Sequence, residues 1–149
     1  MTQEVKTKAT FPSVEWFDAL KEIINGDEAY KRHGTCDASV GIKVPEAGKY
    51  FVITFEAFEV EDVKETDEAA AENTDFWIEQ SYDKWQEMIK NIADNGQADL
   101  HHTLNTLDVE DPAGLARSND GYRRDLFYRF NQSFQHFFDA TAQIDTKFA

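Results

Sequence analysis

The stretch DGYRRDLFYRFNQSFQHFFDATA, residues 120–142, constrains this chain more than any other. Between positions 122 and 138 it carries Tyr122, Phe127, Tyr128, Phe130, Phe134, Phe137 and Phe138. Wound as one α-helix at about 100° per residue, Tyr122, Leu126, Phe127, Phe130, Phe134, Phe137 and Phe138 fall inside an arc of roughly 160°. Arg124, Asn131, Gln132, Gln135 and Asp139 take the opposite side. At ~1.5–3 kcal/mol per large side chain, exposing that face would cost on the order of 10 kcal/mol. The spacing therefore predicts an amphipathic helix lying on a sheet, on a partner or on an apolar ligand. Ring spacing alone leaves those three covers open.

The rest of the chain supplies a sheet. Ser13 is placed to cap a helix that ends at Gly26, with Trp16, Phe17, Leu20, Ile23 and Ile24 on one face. A helical turn from Asp27 to His33 follows. Cys36, Ala38, Val40, Ile42 and Val44 then alternate with polar or small residues, as a half-buried strand requires. Pro45–Gly48 reads as a turn, Tyr50–Phe58 as a second strand and Glu59–Glu65 as a third, with Val60 and a displaced Val63 inward. These three pair as an antiparallel meander. Thr66–Asn73 is an acidic, Ala-rich loop or short helix, and Phe76-Trp77-Ile78 a short fourth strand. Ser81 begins a second clear helix ending at Asn95-Gly96, with Tyr82, Trp85, Met88, Ile89, Ile92 and Ala93 on one face. Leu100, Leu104 and Leu107 form a helical turn feeding a last strand at Thr106–Val109. Residues 1–10 read as a disordered tail and 11–149 as one domain.

Composition removes several classes of function. With 149 residues, 41% of them hydrophobic and 13% aromatic, the chain is long and apolar enough for one packed core. Fifteen Lys and Arg stand against 29 Asp and Glu, a net charge of −14 that repels phosphate backbones and anionic bilayers. Nucleic-acid binding is disfavoured, and contact with an anionic membrane works against the field. A lone Cys36 forms no disulfide within the chain and suits a reducing compartment. MTQEVKTKAT has no apolar core of a secretory signal, and no run is long enough to span a bilayer. A cytoplasmic location is expected.

The segments FPSVEWFDALKEIINGDEAYKR, YFVITFEAFEV and DFWIEQSYDKWQEMIKNIADNGQADL, with this order of elements, resemble the sterol carrier protein type-2 family over roughly residues 11–142. The resemblance implies an α/β (α+β) fold: a five-stranded, mostly antiparallel sheet covered by helices. It also implies an apolar tunnel for a sterol, fatty acyl chain or other lipid, closed by the last helix. HHTLNTLDVEDPAGLARSND departs from the family's Gly-rich strand entry, and the strong acidity differs from the family's basic members.

Candidate pocket residues are Phe127, Phe130, Phe134, Phe137 and Phe138 with Trp77, Trp85, Met88 and Trp16, since ligand pockets are mostly apolar and aromatic. Met88 adapts to irregular apolar shapes. Each of these rings serves equally well as plain core. Arg123, near the start of the aromatic helix, is placed to hold a carboxylate or phosphate head group, or simply to reach water. His101-His102 is the one metal-like cluster, and adjacent histidines point apart. No metal spacing, phosphate loop, dinucleotide fingerprint or G-x-S-x-G elbow is present, so no cofactor is expected. Cys36 reads as a small buried hydrophobe.

The leading expectation is a non-enzymatic carrier of hydrophobic small molecules. One rival is a small α/β-cone isomerase or dehydratase using Asp139, Tyr128 or a meander carboxylate. Another is an interaction module whose aromatic helix docks on a second copy or another protein.

Overall fold

In the computed structural model, which describes residues 6–149, a five-stranded sheet runs in the order β4-β3-β2-β5-β6. Its strands are β2 (Ala38–Val44), β3 (Lys49–Glu56), β4 (Glu59–Thr66), β5 (Phe76–Glu79) and β6 (Ala116–Arg117). The β2–β3, β3–β4 and β5–β6 pairs are antiparallel and β2–β5 is parallel. The alternation read from sequence sets the faces. Ala38, Val40, Ile42, Val44, Phe51, Ile53, Phe55, Phe76 and Ile78 all point into one core. The register shifts between Thr54 and Phe55, so that Phe55 faces Val60 while Ile53 faces Val63. That bulge is why two valines three apart both turn inward.

Helices α1 (Val14–Asn25) and α4 (Tyr82–Asn95) cover the core face. Ser13 and Ser81 cap them through bonds to the amides of Trp16 and Lys84. Gly96, at φ 79°, ends α4 in the left-handed conformation that suits glycine. The short helices α2 (Glu28–Lys31) and α3 (Glu68–Glu72) are capped by Asp27 and Asp67. α3 lies on the opposite face of the sheet and approaches Gly41 so closely that a Cβ there would sit 2.2 Å from the Ala71 carbonyl oxygen.

Three expectations change. The aromatic stretch is not one helix. It divides into α6 (Gly121–Arg129) and α7 (Asn131–Asp139) at Phe130, whose φ of −108° and ψ of 24° leave the helical range. α6 packs on β5 and β6, whereas α7 carries Phe134 and Phe137 to Phe55 on β3. Bending at Phe130 lets the two halves follow different parts of the sheet. The single arc is lost: Phe127 is fully buried and Tyr122 is 90% exposed. After a 3₁₀ turn at Ala140–Gln143 the chain ends in a strand, β7 (Ile144–Phe148), not in a helix.

Second, the strand expected at Thr106–Val109 is part of helix α5 (Leu104–Glu110). Thr103 caps it, accepting from the Thr106 amide at 3.2 Å, and Leu104 and Leu107 are buried one turn apart. Third, part of the expected tail is structured. Thr7–Phe11 forms β1, parallel to β7, and Phe11 is buried against Trp16, Trp85 and Phe148. That contact is non-local and has no periodic signature. Residues 1–5 of the tail lie outside the described residues.

Candidate functional site

The residues singled out in the aromatic stretch meet between the sheet and α6–α7. Phe55 stands 5.2 Å from both Phe134 and Phe137, edge to face, and Phe76 stands 5.3 Å from Phe134 and 5.8 Å from Phe127. Phe127 and Phe134 stack at an interplanar angle of 7°, bridging the break between the helices. Phe138 packs 5.2 Å from Phe137 and 5.9 Å from Trp85 of α4. Such tilted and edge-on pairs add about 0.5–1.5 kcal/mol each beyond burial. Trp85 also donates its indole N–H to the Lys43 carbonyl at 3.1 Å. Met88 joins the same core, 3.9 Å from the side-chain nitrogen of Gln80.

Phe127, Phe134, Phe137, Phe138, Trp85 and Met88 thus form one continuous buried layer. Trp16 belongs to the same core through Phe11 and Phe17. Phe130 is half-buried at the helix break, with the Arg129 guanidinium 5.6 Å from its ring. Trp77 is elsewhere. It alternates with Phe76 and Ile78, so it faces the other side of the sheet beneath the Lys43 ammonium, 4.7 Å from its centroid. There Lys43 is buried between Glu68, Glu72 and Glu79, at 3.5, 3.2 and 3.6 Å. Arg123 is exposed, with Asp75 3.8 Å away.

Sequence reasoning missed polar atoms buried in the body of the protein. Gln80 and Thr141 are buried, and neither Gln80 Oε1 nor Thr141 Oγ1 finds a hydrogen-bond partner among the described residues. Burying an unpaired acceptor costs about 1–3 kcal/mol. Nothing in the spacing of a Gln after a short strand announces it.

The residues named for other chemistries have structural partners. Tyr128 bonds Asp108, whose other oxygen accepts from the Leu115 and Ala116 amides at 2.7 and 3.0 Å. Asp139 accepts from the Ala98 amide and from Gln135, both at 3.0 Å. His102 lies between Asp99 and Glu87 at 2.6 and 3.2 Å, while His101 is exposed. Cys36 is buried, and burial, aided by nearby Asp37, pushes its thiol up to about 12. It is inert as a nucleophile at neutral pH.

Against known proteins, no family model and no curated protein matches the chain. A solved structure does. It is the solution structure of a protein from Thermus thermophilus called "conserved hypothetical protein …, possibly sterol carrier protein", 19% identical, with a TM-score of 0.68. The likeness spans 96% of this chain and 97% of the other. The two chains share one fold. The mixed architecture with its five-stranded, mostly antiparallel sheet is therefore the expected α+β one. Among the described residues no helix is long and apolar enough to cross a membrane.

Proposed function

We propose that the protein binds hydrophobic small molecules, a sterol, a fatty acyl chain or another lipid, between the sheet and α6–α7, and carries them without chemistry, as one cytoplasmic domain. The observation that supports this best is the break at Phe130 over a continuous aromatic layer. α6 buries only Phe127 completely, and its outer rings, Tyr122 and Tyr128, are 90% and 43% exposed. Pivoting at Phe130, α6 admits a guest by replacing ring–ring contacts with ring–guest contacts, which opens the apolar tunnel. Phe127, Phe134, Phe137, Phe138, Trp85 and Met88 line it in this reading, and Phe130 sits at the pivot. Gln80, whose Nε2 lies beside Met88, offers its unpartnered Oε1 as a hydrogen-bond acceptor for a hydroxyl of an otherwise apolar guest. Arg123, exposed on α6, meets a carboxylate or phosphate head group at the mouth. Trp77, across the sheet, takes no part.

Micromolar affinity, about −8 kcal/mol, is expected for a drug-sized lipid. Titration with a lipid panel, followed by tryptophan fluorescence, and native mass spectrometry after lipid extraction test the reading. A saturable response or a co-purified apolar species supports it. Neither response with any apolar ligand sinks it. Arg123→Met should weaken fatty acids and leave neutral sterols unchanged.

A further inference from the structure

Away from the aromatic layer, two imidazoles from separate elements meet beside α7. His33, in the turn after α2, places Nε2 3.0 Å from Nδ1 of His136, with the rings inclined at 71°. The other nitrogen of His136, Nε2, lies 2.8 Å from Asp27 Oδ2. Asp27 is itself fixed, because its Oδ1 caps α2 by accepting from the Ala29 and Tyr30 amides at 2.9 and 3.3 Å. An ionised carboxylate only accepts, so His136 carries its proton on Nε2. In the neutral ring Nδ1 then presents a lone pair toward His33.

We propose that His33 Nε2 and His136 Nδ1 bind a divalent transition-metal ion, Zn²⁺ or Cu²⁺. With metal–nitrogen bonds of about 2.0–2.1 Å, two neighbouring ligands stand roughly 2.9 Å apart at a right angle and roughly 3.4 Å apart at a tetrahedral one. The observed 3.0 Å falls between them. A metal-binding histidine characteristically gives its other N–H to a carboxylate, which fixes its tautomer, and Asp27 does this for His136. His33 shifts its own proton from Nε2 to Nδ1, toward solvent, so both rings coordinate as neutral imidazoles. The remaining positions on the ion face an open polar depression of about 350 Å³ lined by Asn131, Gln132, Gln135 and Asp139. Among the described residues no group of three or more His, Cys, Asp and Glu is placed to hold a metal ion together. The protein thus supplies two nitrogens, and water or a bound solute completes the coordination. The net charge of −14 raises the local concentration of cations.

The test is calorimetric titration of the untagged full chain with Zn²⁺ and, separately, Cu²⁺. One saturable site is expected. It should disappear in His33→Ala, a substitution at an exposed turn. Asp27→Asn keeps an oxygen to cap α2, but its amide donates to His136 Nε2 and forces the proton onto Nδ1. It should bind about 10–100-fold more weakly while circular dichroism shows the native fold. His102→Ala should bind like the unaltered protein, since His102 is engaged by Asp99 and Glu87. Absence of saturable binding, binding that survives His33→Ala, or binding lost in His102→Ala overturns the proposal. None of these outcomes depends on lipid uptake, so this site and the carrier reading stand or fall separately.

Discussion

Tyr128 donates its phenol proton to Asp108 Oδ2 at 2.7 Å, tying α6 to the end of α5. Asp108 is buried and holds the Leu115 and Ala116 amides, so α6 is anchored to the same carboxylate that shapes the approach to β6. Arg124, at 3.6 Å, completes the group from the same helix. α6 thus meets the body of the protein through buried Phe127, half-buried Leu126 and these polar contacts.

Tyr128→Phe should therefore cost about 1.5–3 kcal/mol, the range for a hydrogen bond to a charged group. Burial, then the bond to Asp108, raises the phenol above its ordinary value. A raised value contributes stability in full below the unfolded value of about 10 and loses it as pH climbs through the folded one. The contact is thus complete at neutral pH. Hydrogen exchange should accelerate in residues 121–129 of the variant before it does in α4. Unchanged exchange there would contradict the anchoring role.

Phe134 touches Phe55, Phe76 and Phe127 and is 1% exposed. Phe134→Ala should lower unfolding free energy by about 3–5 kcal/mol in urea denaturation, the cost of lost burial plus a cavity. Phe130→Ala, at a half-buried pivot, should cost less than half as much. Equal losses at the two positions would mean that the helix break is packed as firmly as the layer beneath it.

Gly41→Ala should destabilise by about 3 kcal/mol or more, at the upper end of what overpacking costs. The added Cβ would stand 2.2 Å from the Ala71 carbonyl oxygen and 2.8 Å from the Trp77 Cβ, the first of them backbone with no rotamer to yield. Denaturation midpoints measure the effect. A change below about 1 kcal/mol would show that α3 lifts freely from the sheet.

Asp99 and His102 supply a pH window. The bond from His102, then that from Asn91, lowers the Asp99 carboxyl from 3.8 to about 2. The bond to Asp99 raises His102 above 6.5, against a smaller opposing effect of burial. Asp99 contributes above 3.8 and loses its contribution as pH falls toward 2. His102 contributes in full below 6.5 and loses its contribution as pH rises through its higher folded value. The ion pair is therefore complete between roughly pH 4 and 6.5. An NMR titration should place the His102 midpoint above 6.5, and Asp99→Asn should bring it back down. A midpoint at or below 6.5 in the unaltered protein would refute the pairing.

The two capped helices and the three-strand meander were legible because each is a local pattern. Ser13 and Gly26 bracket one apolar stripe, Ser81 and Gly96 another, and inward residues alternate from Ala38 to Val44. Even the odd spacing of Val60 and Val63 signalled the irregularity at Thr54–Phe55. The buried layer of Phe127, Phe134, Phe137 and Phe138 was legible for the same reason. Large rings at helical spacing must be covered somewhere.

What the sequence determined by itself is that Phe127, Phe134, Phe137 and Phe138 need cover and that a sheet is there to give it. Hydrophobic periodicity encodes that much, because burial acts residue by residue along a repeating element. Only the tertiary structure decided that the aromatic stretch bends at Phe130, leaving Tyr122 in water, and that Trp77 faces away from the layer. It also decided that Lys43 lies among three carboxylates and that His33 meets His136. The reason is physical. A break in a helix, the face given to a short strand, and a pair of rings 103 positions apart depend on contacts between distant parts of the chain. Local periodicity records none of those contacts.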